Sequence, residues 1–249
     1  MLGGSRKRYR FYSEEPSGGG RLLQAVKVLI LLFLLYELIS TFLLTSYRVE
    51  TGAMRPVFEE GDRVAVTSLP VGADLPLFGV RGPAIGTPKR GDLVIAESRL
   101  TPDTARLLAP VDSGVRFFTG RNTRLGGSDW RPEIVVRRVI AVPGDTVRME
   151  DYIFYVRPAH AESFMSEFEA SRVRYPLLRQ DPPEGWGADF PFGGNMEPVE
   201  LGEGQYFLAG DNRTGVLDSR HRGAVGAEDL RARIVMRYWP FSRFGVPGR

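Results

Sequence analysis

A single apolar run behind a basic leader limits what this chain can become. Residues Leu22 to Tyr47 read LLQAVKVLILLFLLYELISTFLLTSY, uncharged over Val28–Tyr36 and again over Leu38–Tyr47, with Glu37 between them. About 20 such residues, rising about 1.5 Å each, match a hydrocarbon core of roughly 30 Å. Arg6, Lys7, Arg8, Arg10 and Arg21 precede the run and Lys27 lies just inside it. The positive-inside rule therefore predicts a cytoplasmic N-terminus, with residues from about 48 onward on the other side. The run is too long for the apolar core of a cleaved signal peptide, and no small-x-small site follows it, so an uncleaved signal-anchor is expected. An ionised Glu37 near mid-membrane would cost about 2.5 kcal/mol or more, which favours a protonated side chain or a protein neighbour. A helix–helix contact and one tolerated polar residue in a very apolar helix are both consistent with it.

The remainder of the 249 residues is enough for one sizeable globular region. The formal net charge is only +3, and much of the excess lies in the first 21 residues, which argues against nucleic acid as a partner. There is no cysteine, so disulfides, thiolate metal sites and cysteine catalysis are excluded. His160 and His221 are the only histidines, too few for a histidine-built metal centre, and neither metal nor cofactor is expected. The lysines are Lys7, Lys27 and Lys89, so arginine supplies nearly all the positive charge.

Beyond the anchor the pattern is β. Asp62–Ser68, Asp92–Glu97, Ile134–Val142, Thr146–Val156, Gln205–Leu208 and Ala232–Trp239 are short runs rich in β-branched residues, bounded by Gly, Pro or Asp. Only Ala161–Val173 has helical spacing, through Phe164, Met165 and Phe168. Pro70–Pro88, Thr101–Arg131 and Pro176–Leu201 read as long connections. Many short strands and few helices predict a mainly β protein, a barrel or a double sheet. The expected organisation is a basic tail over 1–21, a transmembrane signal-anchor over 22–47, a β core over 48–156 and 201–249, and a small inserted subdomain over 157–200.

Four ordered segments carry the functional information: VETGAMRPVFEEGDRVAV at 49–66, RGDLVIAE at 90–97, VVRRVIAVPGDTV at 135–147 and EGQYFLAGDNRTGVLDSRHRGAV at 203–225, with WPFSRFG at 239–245. Each alone is bland, since Gly-Asp after a strand and Pro-Gly-Asp are ordinary turn chemistry. Their order and their place behind an anchor resemble the boxes of bacterial signal peptidase I, a membrane-bound serine endopeptidase that removes signal peptides from exported proteins. The resemblance covers most of 22–245 and is weak over 98–131 and 157–200; the GDNR-x₄-DSR segment is its most specific part. It implies a signal-peptidase-like β core with one N-terminal transmembrane helix, at the bacterial cytoplasmic membrane with its main domain on the outer face.

The chemistry implied by the family is a Ser–Lys dyad, in which a neutral lysine amine takes the serine proton. Here the positions differ. The family's Ser-Gly-Ser-Met-x-Pro is matched by Thr51-Gly52-Ala53-Met54-Arg55-Pro56, so the nucleophile position holds Ala53 and the oxyanion position Thr51. The general-base lysine falls on Arg137, followed by the matching Arg138. A guanidinium, with a pKa above about 12, does not act as a base. The serine that contacts the lysine amine is matched by Val216, while Gly210, Asp211, Asn212, Arg213, Asp218, Ser219 and Arg220 keep the family frame. Asp211 and Asp218 are expected in ion pairs with Arg213, Arg220, Arg137 or Arg138, and an Arg137 in the lysine's place would have Asp218 as its natural partner. Lys89 is expected to be a solvated charge and His221 a surface residue; neither is placed by the motifs as a replacement base.

The resulting expectation is a catalytically inactive family member that binds export signal peptides or partners another membrane protein. The family holds its substrate as an added β-strand, a mode that needs no nucleophile. The alternative is an active signal peptidase with a non-standard catalytic arrangement. A tethered structural protein that has lost the groove is the third.

Overall fold

The computed structural model describes residues 18–38, 45–72, 74–75, 80–97, 134–179, 193–214 and 216–247. The connection expected over Thr101–Arg131 lies outside them. Two compact units are present, residues 1–37 and 38–249.

The first unit contributes helix α1, Gly18–Leu38, 21 residues long. Leu22, Ile30, Leu31 and Leu34 stand exposed along it. No helix among the described residues is long and apolar enough to cross a membrane. Residues 39–44, which carry the second part of the expected span, lie outside the described residues. The end of that span differs from expectation: Thr45–Arg48 is strand β1, with Thr45 paired to Val66 and Arg48 to Arg63. A backbone committed to a sheet ladder cannot also continue a helix.

The second unit is mainly β, as expected. Its strands are β1, β2 (Arg63–Thr67), β3 (Asp74–Leu75), β4 (Val80–Arg81), β5 (Leu93–Glu97), β6 (Ile134–Ala141), β7 (Thr146–Glu150), β8 (Ile153–Arg157), β9 (Met165–Ser166), β10 (Met196–Glu200), β11 (Gln205–Ala209), β12 (Val225–Gly226) and β13 (Leu230–Trp239). Short helices α2 (Glu167–Ser171) and α3 (Ser219–Arg222) interrupt them. The large sheet runs β1-β2-β13-β5-β6-β11-β12, with antiparallel pairing throughout; a second runs β10-β7-β8-β9, and β3 pairs with β4.

The run Thr146–Val156 folds as two strands rather than one. Asp151 and Tyr152 have φ of 46° and 63°, which is the tight hairpin turn whose twist matches antiparallel strands. The helix expected over Ala161–Val173 shrinks to α2. Ser166 and Glu169 close a capping box at its start, and Arg172 in the left-handed region (φ 58°) stops it after one and a half turns.

Strand alternation puts apolar side chains on both faces of β6. Val136 joins Met54, Phe58, Leu93 and Ile95 in one core cluster. Val139 joins Val94, Leu208 and Leu230 in another. The far ends of β6 and β11 pack on β7 and β8 through Ile140, Val147, Phe154 and Phe207. The four-stranded sheet is thereby fixed to the large one.

Candidate functional site

The same alternation sends the adjacent Arg137 and Arg138 to opposite faces of β6. Both are buried, at 7% and 1% exposure, and each has a separate task.

Arg138 forks onto Asp211: Nε to Oδ1 is 2.8 Å and Nη2 to Oδ2 is 2.7 Å. Its Nη1 donates to the Gly91 carbonyl at 2.9 Å, and its guanidinium lies 3.6 Å above the Tyr175 ring. Burial pushes the Arg138 pKa down, but pairing with Asp211 more than restores it, so the group stays charged. A second fork stands next to it. Arg213 donates to both oxygens of Glu167, at 2.9 and 2.6 Å, and to the carbonyls of Tyr152 and Gly210. The Tyr175 hydroxyl closes the chain by donating to Glu167 Oε2. Two cations and two anions are thus sealed together with every fork made, the condition under which buried charge is tolerated. Burial first, and then Glu167, hold the Tyr175 phenol well above its ordinary pKa. Glu167 and Tyr175 escape sequence reasoning, because each reads as an ordinary residue of a helical segment and its terminus.

This buried frame positions residues 210–214 and 216–220. Gly210 is held by its N–H to Asp218 Oδ2 at 3.1 Å, and Asp218 is forked by Arg220 with both contacts at 2.9 Å. Asp218 also caps α3 by accepting from Arg220 N–H. The expected fork from Arg137 to Asp218 is therefore supplied by Arg220 instead. Arg137 turns to main chain: Nη1 donates to the Val136 carbonyl at 2.7 Å and Nη2 to the Leu217 carbonyl at 3.1 Å.

Ala53 lies in the 3-10 turn Gly52–Met54, which packs against β6. Its carbonyl accepts from Asn212 N–H at 3.1 Å. A β-carbon on Gly210 would fall 2.7 Å from that carbonyl and 3.2 Å from Val216 Cγ1. Ala53 and Val216 therefore close on the same point, and Leu217, next along, receives Arg137. Arg137 thus reaches the segment that carries Val216. Thr51 begins the turn in extended conformation, exposed, and its side chain makes no capping hydrogen bond.

The other candidate groups are placed elsewhere or already engaged. Ser219 is buried, and its hydroxyl oxygen accepts from Leu208 N–H at 3.0 Å. His221 Nδ1 lies 3.9 Å from Asp218 Oδ1; partial burial and then Arg220 push its pKa below the usual imidazole value. Lys89 is exposed at the turn before β5. Beside Arg137 opens a cleft of about 560 Å³, lined by Val135, Leu208, Leu217, Asp218 and Ser219 among others. Ala53 presents a methyl group at this turn, and the Arg137 guanidinium is held by the Val136 and Leu217 carbonyls.

A family model described as "Signal peptidase, peptidase S26" matches residues 22–239. The chain belongs to this family. The similar proteins include signal peptidase I of Bacillus licheniformis, 27% identical over 92% of this chain and 96% of that one. Signal peptidase IB of Staphylococcus aureus strain N315 is 23% identical over 90% of this chain and 92% of its own length. A solved signal peptidase I from Enterococcus faecalis matches 60% of this chain and 98% of its own at 19% identity, with a TM-score of 0.32. Membership rests on the sequence matches, which span the apolar run and all four motif segments.

Proposed function

We propose that this chain is a catalytically silent signal peptidase homologue that binds extended export peptides without cutting them. It is held by one transmembrane segment at the cytoplasmic membrane, N-terminus inside and β domain outside. The carrying observation is that Ala53 and Val216 meet at Gly210 while Arg137 is tied to the Leu217 carbonyl. Acyl transfer needs a hydroxyl to attack and a neutral base to take its proton. Alanine has neither bond to offer, and a guanidinium engaged by two carbonyls stays charged. What persists is the frame: two buried ion-pair forks, the Asp218–Arg220 brace and the cleft beside β6. Added-strand recognition draws on backbone pairing and side-chain pockets, so loss of the dyad does not abolish it. The basic leader and the apolar run support the anchored topology.

Crosslinking tests this reading. A preprotein carrying a photoreactive residue at its cleavage region is irradiated with the purified full chain in detergent. The expected product is an adduct at the summed mass, without release of mature protein. Absence of an adduct would reject the peptide-binding role, and a cleaved product would reject the silent site.

A further inference from the structure

A second cleft, of about 770 Å³, shares no lining residue with the cleft beside Arg137. It opens where the turn 87–93 enters β5, between the end of α2 and β13. Four cations line it: Lys89, Arg90, Arg172 and Arg233. Their engagement differs. Arg90 is neutralised by a two-point contact with Asp145. Arg233 lies 3.7 Å from Asp92, the one carboxylate in the lining, which also accepts from Lys89 N–H at 2.9 Å. The side chains of Lys89 and Arg172 are exposed and have no ion-pair partner among the described residues. Tyr206 also lines the cleft; it is only 5% exposed, and its hydroxyl has no hydrogen-bond partner among the described residues.

We infer that this cleft is a phosphate-binding site, taking a ligand that carries a phosphate group. A lysine ammonium and an arginine fork facing one recess match a phosphate's compact negative charge and its several acceptor oxygens. Low-dielectric walls from Leu93, Val142 and Ile234 focus that attraction. The otherwise idle Tyr206 hydroxyl supplies a neutral donor, and Asp92 organises the turn that presents Lys89. The arrangement is built from the fold: Gly91, at φ +85°, lies so close to Ser171 that a β-carbon there would meet it at 2.8 Å. The turn bearing Lys89 and the helix end bearing Arg172 are thereby held together. A phosphate could come from a lipid headgroup or from a soluble phosphorylated molecule, and the chemistry at these residues is the same.

Isothermal titration of the full chain in non-ionic detergent tests the site. The probes are inorganic phosphate, glycerol 1-phosphate and short-chain dihexanoylphosphatidylglycerol. Saturable binding of a phosphate probe is expected, weakening as salt rises. Lys89→Gln and Arg172→Gln should each reduce affinity about tenfold, the scale of one charge-assisted contact. Tyr206→Phe should reduce it by a smaller factor, and Arg55→Gln, outside the cleft's lining, should leave it unchanged. Tighter binding of the lipid probe than of glycerol 1-phosphate identifies a membrane source, and equal binding a soluble one. No saturable binding of any probe, or full affinity in the Lys89→Gln/Arg172→Gln protein with an unaltered melting temperature, overturns the inference. All three positions are away from Ala53 and Arg137, so signal-peptide crosslinking should persist in these variants.

Discussion

Arg138 and Asp211 meet through two parallel hydrogen bonds in a site where neither exceeds 1% exposure. A fork of this kind is most costly when halved. Arg138→Met leaves the Asp211 carboxylate buried beside Glu167 without its cation, and Asp211→Asn strands the Arg138 charge. Each should lower unfolding stability by about 3–5 kcal/mol, read from urea denaturation. Replacing both together should cost less than the two single losses added, because no lone charge remains.

Tyr175 gives the same frame a spectroscopic handle. Its phenol is shielded and faces Glu167, so its pKa is raised. Above about pH 10 the unfolded chain releases that proton while the folded chain retains it, so stability should fall as pH rises through that range. Tyr175→Phe should remove this part of the alkaline loss. At neutral pH it should cost about 1–3 kcal/mol, since Glu167 loses a buried donor.

His221 acts at the acid side. Its folded pKa lies below the ordinary 6.5, through burial first and Arg220 second. The unfolded chain therefore takes up a proton that the folded chain resists, and the stability contribution present above 6.5 is lost as pH falls through the folded value. His221→Asn should flatten the change in urea midpoint between about pH 7.5 and 5.5.

Gly210→Ala probes the convergence at Ala53 directly. The new methyl meets the Ala53 carbonyl at 2.7 Å, and backbone yields less readily than a flexible side chain. A loss of about 1–3 kcal/mol is expected, with weaker signal-peptide crosslinking as the turn is displaced. An unchanged melting temperature would show that the turn is looser than its packing.

Much of the β core was legible from short runs of β-branched residues. Asp62–Ser68 and Ile134–Val142 became β2 and β6 within a residue or two at each end. Other elements depended on partners far along the chain. Met196–Glu200 carries Pro198 and two glutamates, which hides a strand, yet an edge position in the four-stranded sheet tolerates all three. Thr45–Arg48 continued an apolar run and gave no sign of leaving it. Nothing in the helical segment marks Glu167 as a buried anchor; what makes it one is Arg213, 46 residues later. Asp211 and Asp218 were legible as members of ion pairs, but the assignment of Asp218 to Arg220 depends on how α3 begins, which spacing alone does not fix.

The silent site is tested most directly by cleavage of a preprotein, comparing the natural chain with the Ala53→Ser/Arg137→Lys/Val216→Ser variant at matched folding. The account predicts no mature product from the natural chain and measurable product from the variant, a difference on the order of 10⁴-fold or more in rate. Mature product released by the natural chain at a rate near that of the variant would contradict it.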